Sequence, residues 1–129
     1  MRKKSLFSGI LTLLMFASFM VFGSEKPTKT EAINMPDNVK EIIQNKCFGC
    51  HNTDSKNDKA KKDLDFKSFD TLSKVKMITA YKEIGEVVEE NEMPPKKFLD
   101  KYPDKKLTKD EAKILMDWAS KEAKALKSN

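Results

Sequence analysis

Two cysteines separated by two residues and followed at once by a histidine, Cys47-Phe48-Gly49-Cys50-His51, set the tightest limit on what this chain can fold around. A Cys-x-x-Cys-His run is an attachment pattern for c-type haem. Each thiol can form a thioether with one haem vinyl group, and the imidazole beside the second thiol can reach the iron as an axial ligand. Residues 47 and 50 are three apart and 47 and 51 four apart, so on a helical turn their side chains share one face. Phe48 and Gly49 fill the gap, one apolar and one without a side chain. These are the chain's two cysteines and its one histidine, which bears on the rival readings. A closed structural zinc site takes about four Cys or His donors, more than one copy supplies. A thiol-disulfide oxidoreductase places Cys-x-x-Cys beside a βαβ sheet, and no alternating or β-branched run here would build that sheet. A plain disulfide leaves His51 without a role. One covalent haem c is therefore the expected cofactor, on Cys47, Cys50 and His51.

With 129 residues the chain is sized for one domain. It is 35% charged and 39% hydrophobic, so a protein-only core is modest and a haem would add apolar surface to close around. The net charge of +5 falls to +2 once Arg2, Lys3 and Lys4 are set aside with a leader. Two haem propionates would bring the remainder near neutrality. Lys alternates with Asp and Glu along the chain, the pattern of a solvated surface and not of a nucleic-acid partner.

Residues 1–24 read as an export signal, with Arg2-Lys3-Lys4 as basic head, an apolar run from Leu6 to Phe22 and small residues at Gly23-Ser24. The run is nearly long enough to span a bilayer, so an uncleaved anchor is the competing reading; a lipid-bearing cysteine is absent there. Residues 25–36 read as a tether and 37–129 as the domain. A helix is expected from Pro36-Asp37-Asn38, capped by Asn38 with Glu41, carrying Val39, Ile42 and Ile43 on its apolar face and running into Cys47. Residues 52–63 read as a solvated loop. Leu64, Phe66 and Phe69 suit a short extended piece. A second helix is expected over about 71–90, with Leu72, Val75, Ile78, Tyr81, Ile84, Val87 and Val88 on one face.

Asn91-Glu92-Met93-Pro94-Pro95 follows. The prolines are expected to end that helix and stiffen the segment. A thioether on a stiff loop is a good sixth iron ligand. Of seven methionines only Met93 has this setting; the others fall in the leader, the tether or helices. Its competing role is an ordinary packing residue. Residues 96–106 read as a basic loop whose apolar side chains fold back. Thr108 and Glu111 form a capping box opening a last helix, with Leu115, Trp118 and Leu126 facing inward. Trp118 reads as an anchor between the terminal helices.

Cys47 to His51, Glu92-Met93-Pro94-Pro95-Lys96-Lys97-Phe98, Tyr102-Pro103, Leu107-Thr108-x-x-Glu111 and Trp118 together resemble the haem-binding domain family of small c-type cytochromes. The resemblance covers roughly Val39 to Ala119. It implies Cys47 and Cys50 as thioether sites, His51 and Met93 as the axial ligands, and an all-α, small cytochrome c-like fold whose first and last helices cross. The Trp-Pro and Tyr run that often follows the haem motif in that family is replaced here by the Lys/Asn/Asp loop.

The expected protein is a periplasmic monohaem cytochrome c, a monomer and not an enzyme, passing single electrons between redox partner proteins through transient contacts. Membrane association is expected only if the leader stays on. Two rivals are kept. A labile Met93 would leave an open iron site for a sensor or a peroxidase-like protein; a haem-free thiol-redox module is the other.

Overall fold

The packing face of each helix follows from where its apolar and small residues recur. The computed structural model describes residues 33–128; the export signal read over 1–24, the tether up to residue 32 and Asn129 lie outside the described residues. Five helices, α1 (Asp37–Lys46), α2 (Asp58–Asp63), α3 (Lys74–Glu89), α4 (Lys96–Leu99) and α5 (Lys109–Ser128), and two 3-10 turns, Phe69–Thr71 and Pro103–Lys105, make up its regular structure, with no strand among the described residues. The all-α expectation holds. No helix among the described residues is long and apolar enough to cross a membrane.

The centre of the fold is α3 laid on α5. Met77, Ala80, Tyr81, Ile84 and Val88 recur at three and four residues, so they form one buried stripe on α3. Leu115, Trp118, Ala119 and Ala123 do the same on α5. The two alanines leave space in which the larger α3 side chains can seat. α1 adds Val39, Ile42 and Ile43 to the same core. The stripe read for α3 from sequence was a strict three-residue repeat, and a helix with 3.6 residues per turn does not follow one. Val75 consequently points outward, 74% exposed, while Met77 is buried at 2%.

Aromatic rings give the core its order. Phe69, fully buried, meets Tyr81 edge-on at 5.1 Å between centroids, and Tyr81 meets Trp118 edge-on at 5.2 Å. Burial, and secondarily Glu122 nearby, push the Tyr81 hydroxyl up to about 12, so it stays protonated at neutral pH. The Trp118 indole N–H donates to the Asn34 carbonyl at 3.0 Å. Ile33 and Met35 pack against the core beside it. Trp118, expected to anchor the terminal helices to each other, instead packs on Tyr81 of α3 and bonds the segment ahead of α1, and the packed domain reaches back to Ile33, into the stretch read as tether.

Helix ends were partly as expected. Thr108 and Glu111 form the reciprocal capping box: the Thr108 N–H donates to Glu111 Oε2 at 2.8 Å and the Glu111 N–H to Thr108 Oγ1 at 3.1 Å. The capping pair Asn38–Glu41 does not form. The cap is Pro36, two residues earlier, so α1 begins at Asp37, and Asn38 Oδ1 accepts from the adjacent Val39 N–H. Within 96–106, read as a loop, α4 and a 3-10 turn form; Phe98 and Leu99 are half-buried there, but Tyr102 is 51% exposed and does not fold back.

Trp118→Phe removes the donor to Asn34 and also trims a buried ring packed on Tyr81. It should lower stability by more than the about 1 kcal/mol of a lost hydrogen bond, read as a lower urea midpoint at unchanged slope. An unchanged midpoint would show that the 33–36 segment contributes nothing through this bond.

Candidate functional site

Cys47, Cys50 and His51 lie on one hydrogen-bonded turn directly after α1. The Cys47 and Phe48 N–H groups donate to the Ile43 carbonyl at 2.9 and 2.8 Å, and the Cys50 and His51 N–H groups to the Cys47 carbonyl, both at 3.1 Å. Both cysteines are free thiols and half-buried. Cys47 touches the core. Burial first, then Cys50 beside it and then Glu111, push the Cys47 thiol up to about 11. A thiol-exchange nucleophile needs the opposite shift.

The imidazole is held from behind. His51 Nδ1 lies 3.0 Å from the Ala60 carbonyl oxygen and 3.1 Å from that of Leu64. Carbonyl oxygens only accept, so Nδ1 carries the proton and the neutral ring keeps its lone pair on Nε2. Those carbonyls belong to α2 and its C-terminal cap, inside the stretch expected to be a loop. α2 forms because Asn57 Oδ1 accepts the Ala60 N–H at 3.1 Å, Asp58 lies in its first turn and Lys61 and Lys62 in its last. It has no buried residue, so no apolar stripe announced it.

The stretch from Asn52 to Phe66 is tied to the turn at several points. Asn52 is a buried polar residue; its amide donates to the Phe48 carbonyl and its Oδ1 accepts the Asp54 N–H at 2.8 Å. The Phe66 N–H donates to the His51 carbonyl at 3.1 Å. Thr53 Oγ1 donates to Asp65 at 2.6 Å, and Lys67 pairs with Asp54. Phe66 meets the His51 ring edge-on at 6.4 Å and stacks on Phe69 at 6.0 Å. The imidazole is thereby continuous with the aromatic core.

On its other side the turn is fixed by Lys46, whose Nζ donates to the Asp104 carbonyl at 2.8 Å and the Lys106 carbonyl at 3.2 Å, with Glu111 Oε1 at 3.9 Å. Hydrogen bonds from a charged donor are the stronger kind. They join the residue before Cys47 to the segment before α5.

Met93 comes from a separate segment, beyond α3. The helix does not end on the prolines. Asn91 takes the left-handed conformation (φ 56°), its N–H donates to Val88 O at 3.2 Å, and the Glu92 N–H reaches back to Val87 O at 2.9 Å. These are the two bonds of a Schellman motif, which Asn tolerates at its left-handed position. The Met93 N–H also donates to Val87 O at 3.2 Å. Met93 is half-buried and Pro94 buried, across a cis Met93–Pro94 peptide. Met77 is in the core, while Met35 and Met116 pack against it. Asn52, Asn57, Asn91 and Lys46 escaped the reading of the sequence; the Asn57/Lys61-Lys62 polarity was the one readable signal for α2.

A small all-helical domain that presents two free thiols and a back-bonded imidazole on one turn is built to hold a prosthetic group. The chain matches the family model described as a haem-binding domain over residues 54–121 and belongs to that family. The match takes in α2, α3, Met93, α4 and most of α5, and begins just past His51. Comparison with curated proteins and with solved structures found no match.

Because the thiolate is the reactive form, raising the Cys47 pKa moves its reactivity to higher pH. In the haem-free chain, Cys47 alkylation followed by peptide mass spectrometry should rise with a midpoint near 11 and not near the ordinary 9.0. A midpoint at the ordinary value would show that the turn is open.

Proposed function

We propose that this haem-binding protein is a monohaem c-type cytochrome of the periplasm that carries single electrons. The observation that carries the reading is the turn itself. Two unpaired thiols share it with an imidazole whose Nδ1 is engaged on carbonyls, which frees Nε2 for a metal. The donor set fits a haem c: Cys47 and Cys50 would hold it through thioethers, and His51 Nε2 and the Met93 thioether would be its axial ligands. Among the described residues no three His, Cys, Asp or Glu side chains gather as a metal site, so these donors suit an iron that brings a porphyrin's four nitrogens. So bound, the haem supplies reversible one-electron exchange.

The chain's own part is to hold and tune. The Ala60 and Leu64 carbonyls fix the tautomer and the ring plane of His51 and strengthen it as a donor. The Met93 thioether, if it held the iron together with His51, would favour the reduced form and a higher potential. Val87 O, by binding the backbone of Glu92 and Met93, holds that thioether's attachment point. The raised Cys47 pKa argues against a thiol-redox module. The basic head and apolar run of residues 1–24 support export, and the interleaved surface charges support brief encounters of a monomer with redox partners.

The full chain, matured in cells that attach haem c, should give a haem-staining band on a denaturing gel, lost in Cys47→Ser/Cys50→Ser. Its spectrum should be low-spin with the far-red sulfur–iron band, and Met93→Ala should abolish that band. An unchanged Met93→Ala spectrum would remove Met93 as ligand. A high-spin wild type would turn the reading to a sensor or peroxidase, and an unstained band to thiol chemistry.

A further inference from the structure

We propose that Asn57 is a positioning residue for the axial imidazole, and that through α2 it sets how strongly His51 favours ferric over ferrous iron; this rests on the haem-ligand reading above. Asn57 bonds not the ring but the helix behind it, within one closed circuit of hydrogen bonds. The His51 Nδ1–H donates to the Ala60 carbonyl at 3.0 Å. The Ala60 N–H donates to Asn57 Oδ1 at 3.1 Å, and the Asn57 N–H to Ser55 Oγ at 3.1 Å. The Ser55 N–H donates to the Asn52 carbonyl at 3.0 Å. Asn52 follows His51 in the chain, is buried, and is fixed to the turn by its amide on the Phe48 carbonyl. The circuit begins and ends on the cysteine–histidine turn, and Asn57 is where it passes from loop to helix. These residues replace the Trp-Pro and Tyr run, so the device belongs to this chain's own sequence.

α2 depends on that cap more than most helices do. Six residues are too few to hold a helix by backbone bonds alone, and none of its residues is buried. Beyond its C-terminal end Leu64 packs on the core. At the other end the holds are polar. Asn57 accepts two N–H groups, that of Ala60 on Oδ1 and that of Lys61 on its carbonyl, both at 3.1 Å. Lys61 Nζ donates to the Ser55 carbonyl at 3.1 Å and pairs with Asp58, an exposed pair that salt screens.

The consequence for the iron follows from polarity. The last carbonyls of a helix form its negative end, and those of Ala60 and Leu64 meet the imidazole N–H. Drawing on that proton makes Nε2 a stronger donor, which favours ferric iron. Fraying of α2 takes both carbonyls off the N–H and moves the balance toward ferrous. The sign separates this from mere loosening of the fold. Water admitted to the haem favours the more highly charged ferric form and lowers the potential.

The test compares the full holoprotein with Asn57→Ala, Asn57→Ser, Lys59→Gly and Lys59→Ala by voltammetry and by NMR exchange of the His51 Nδ1 proton in the reduced state. Serine keeps a neutral cap oxygen. The two Lys59 variants lose the same charge at an exposed position and differ in helix propensity. Asn57→Ala should raise the ferrous-to-ferric ratio about threefold, roughly 28 mV upward for one electron. It should speed exchange of the Nδ1 proton about fivefold. Asn57→Ser should restore both, and Lys59→Gly should lie above Lys59→Ala in potential. A potential that falls or stays in Asn57→Ala, no rescue by serine, or equal potentials in the Lys59 pair would overturn the proposal. Where Asn57→Ala fails to mature, the Lys59 pair decides. A wild type without histidine-ligated haem, whose Nδ1 proton is still released by Asn57→Ala and protected again by Asn57→Ser, would sink the haem-ligand reading and keep Asn57 as the residue that positions the ring. A histidine-ligated haem with potential and exchange independent of the cap would do the reverse.

Discussion

The packing of Tyr81 on Trp118 is the contact from which the rest of this domain is hung. It joins α3 to α5, and through Phe69 and Phe66 it extends to the His51 ring. The indole N–H, turned away from these rings, holds the chain just before α1. The two approaches to the Cys47–His51 turn, along α1 and along the Phe66–Phe69 segment, are therefore referred to one pair of side chains. A core of modest size can specify a site in this way because close-packed rings transmit position with little slack.

The site itself is made chiefly of backbone. The donor side chains proposed for it are four, yet the groups that hold them are carbonyls and amides: Ala60 O and Leu64 O behind the imidazole, Val87 O on the Met93 N–H, Asp104 O and Lys106 O around Lys46. Such groups cluster at helix ends, where some carbonyls lack an intrahelical partner and the Ala60 carbonyl, which accepts the Leu64 N–H at 2.9 Å, also meets the imidazole. α2, α3 and the 3-10 turn at Pro103–Lys105 each present an end toward this task. The family match beginning at residue 54 covers these supports and not the thiols.

This also explains what could be read in advance. Chemistry carried by side chains was legible: the thiols, the imidazole, the thioether of Met93 as a candidate, the Thr108–Glu111 capping box, and the inward faces of α1 and α5. The face of α3 was legible in kind but misplaced, because a three-residue repeat picks up Val75 and misses Met77. The devices that orient the donors were not legible, since any residue at 60, 64 or 87 supplies the same carbonyl. α2, with its charged Asp58–Asp63 sequence and no buried residue, gave no periodicity to find. The left-handed Asn91 that ends α3 is masked in the sequence by the two prolines that follow it.

The hold of α2 on His51 bears on how this protein can vary among relatives. Residues 52–65 look like surface loop, the kind of stretch in which insertions accumulate. Yet the chain leaves His51 and returns to it at Phe66, whose N–H closes the circuit on the His51 carbonyl. Inside that circuit the imidazole is shared between carbonyls of Ala60 and Leu64, one helical turn apart. A residue added between them would swing one carbonyl by about 100° around the helix and out of reach. Length should stay constant from the Asn57 cap to Leu64 even where the side chains between those two residues change.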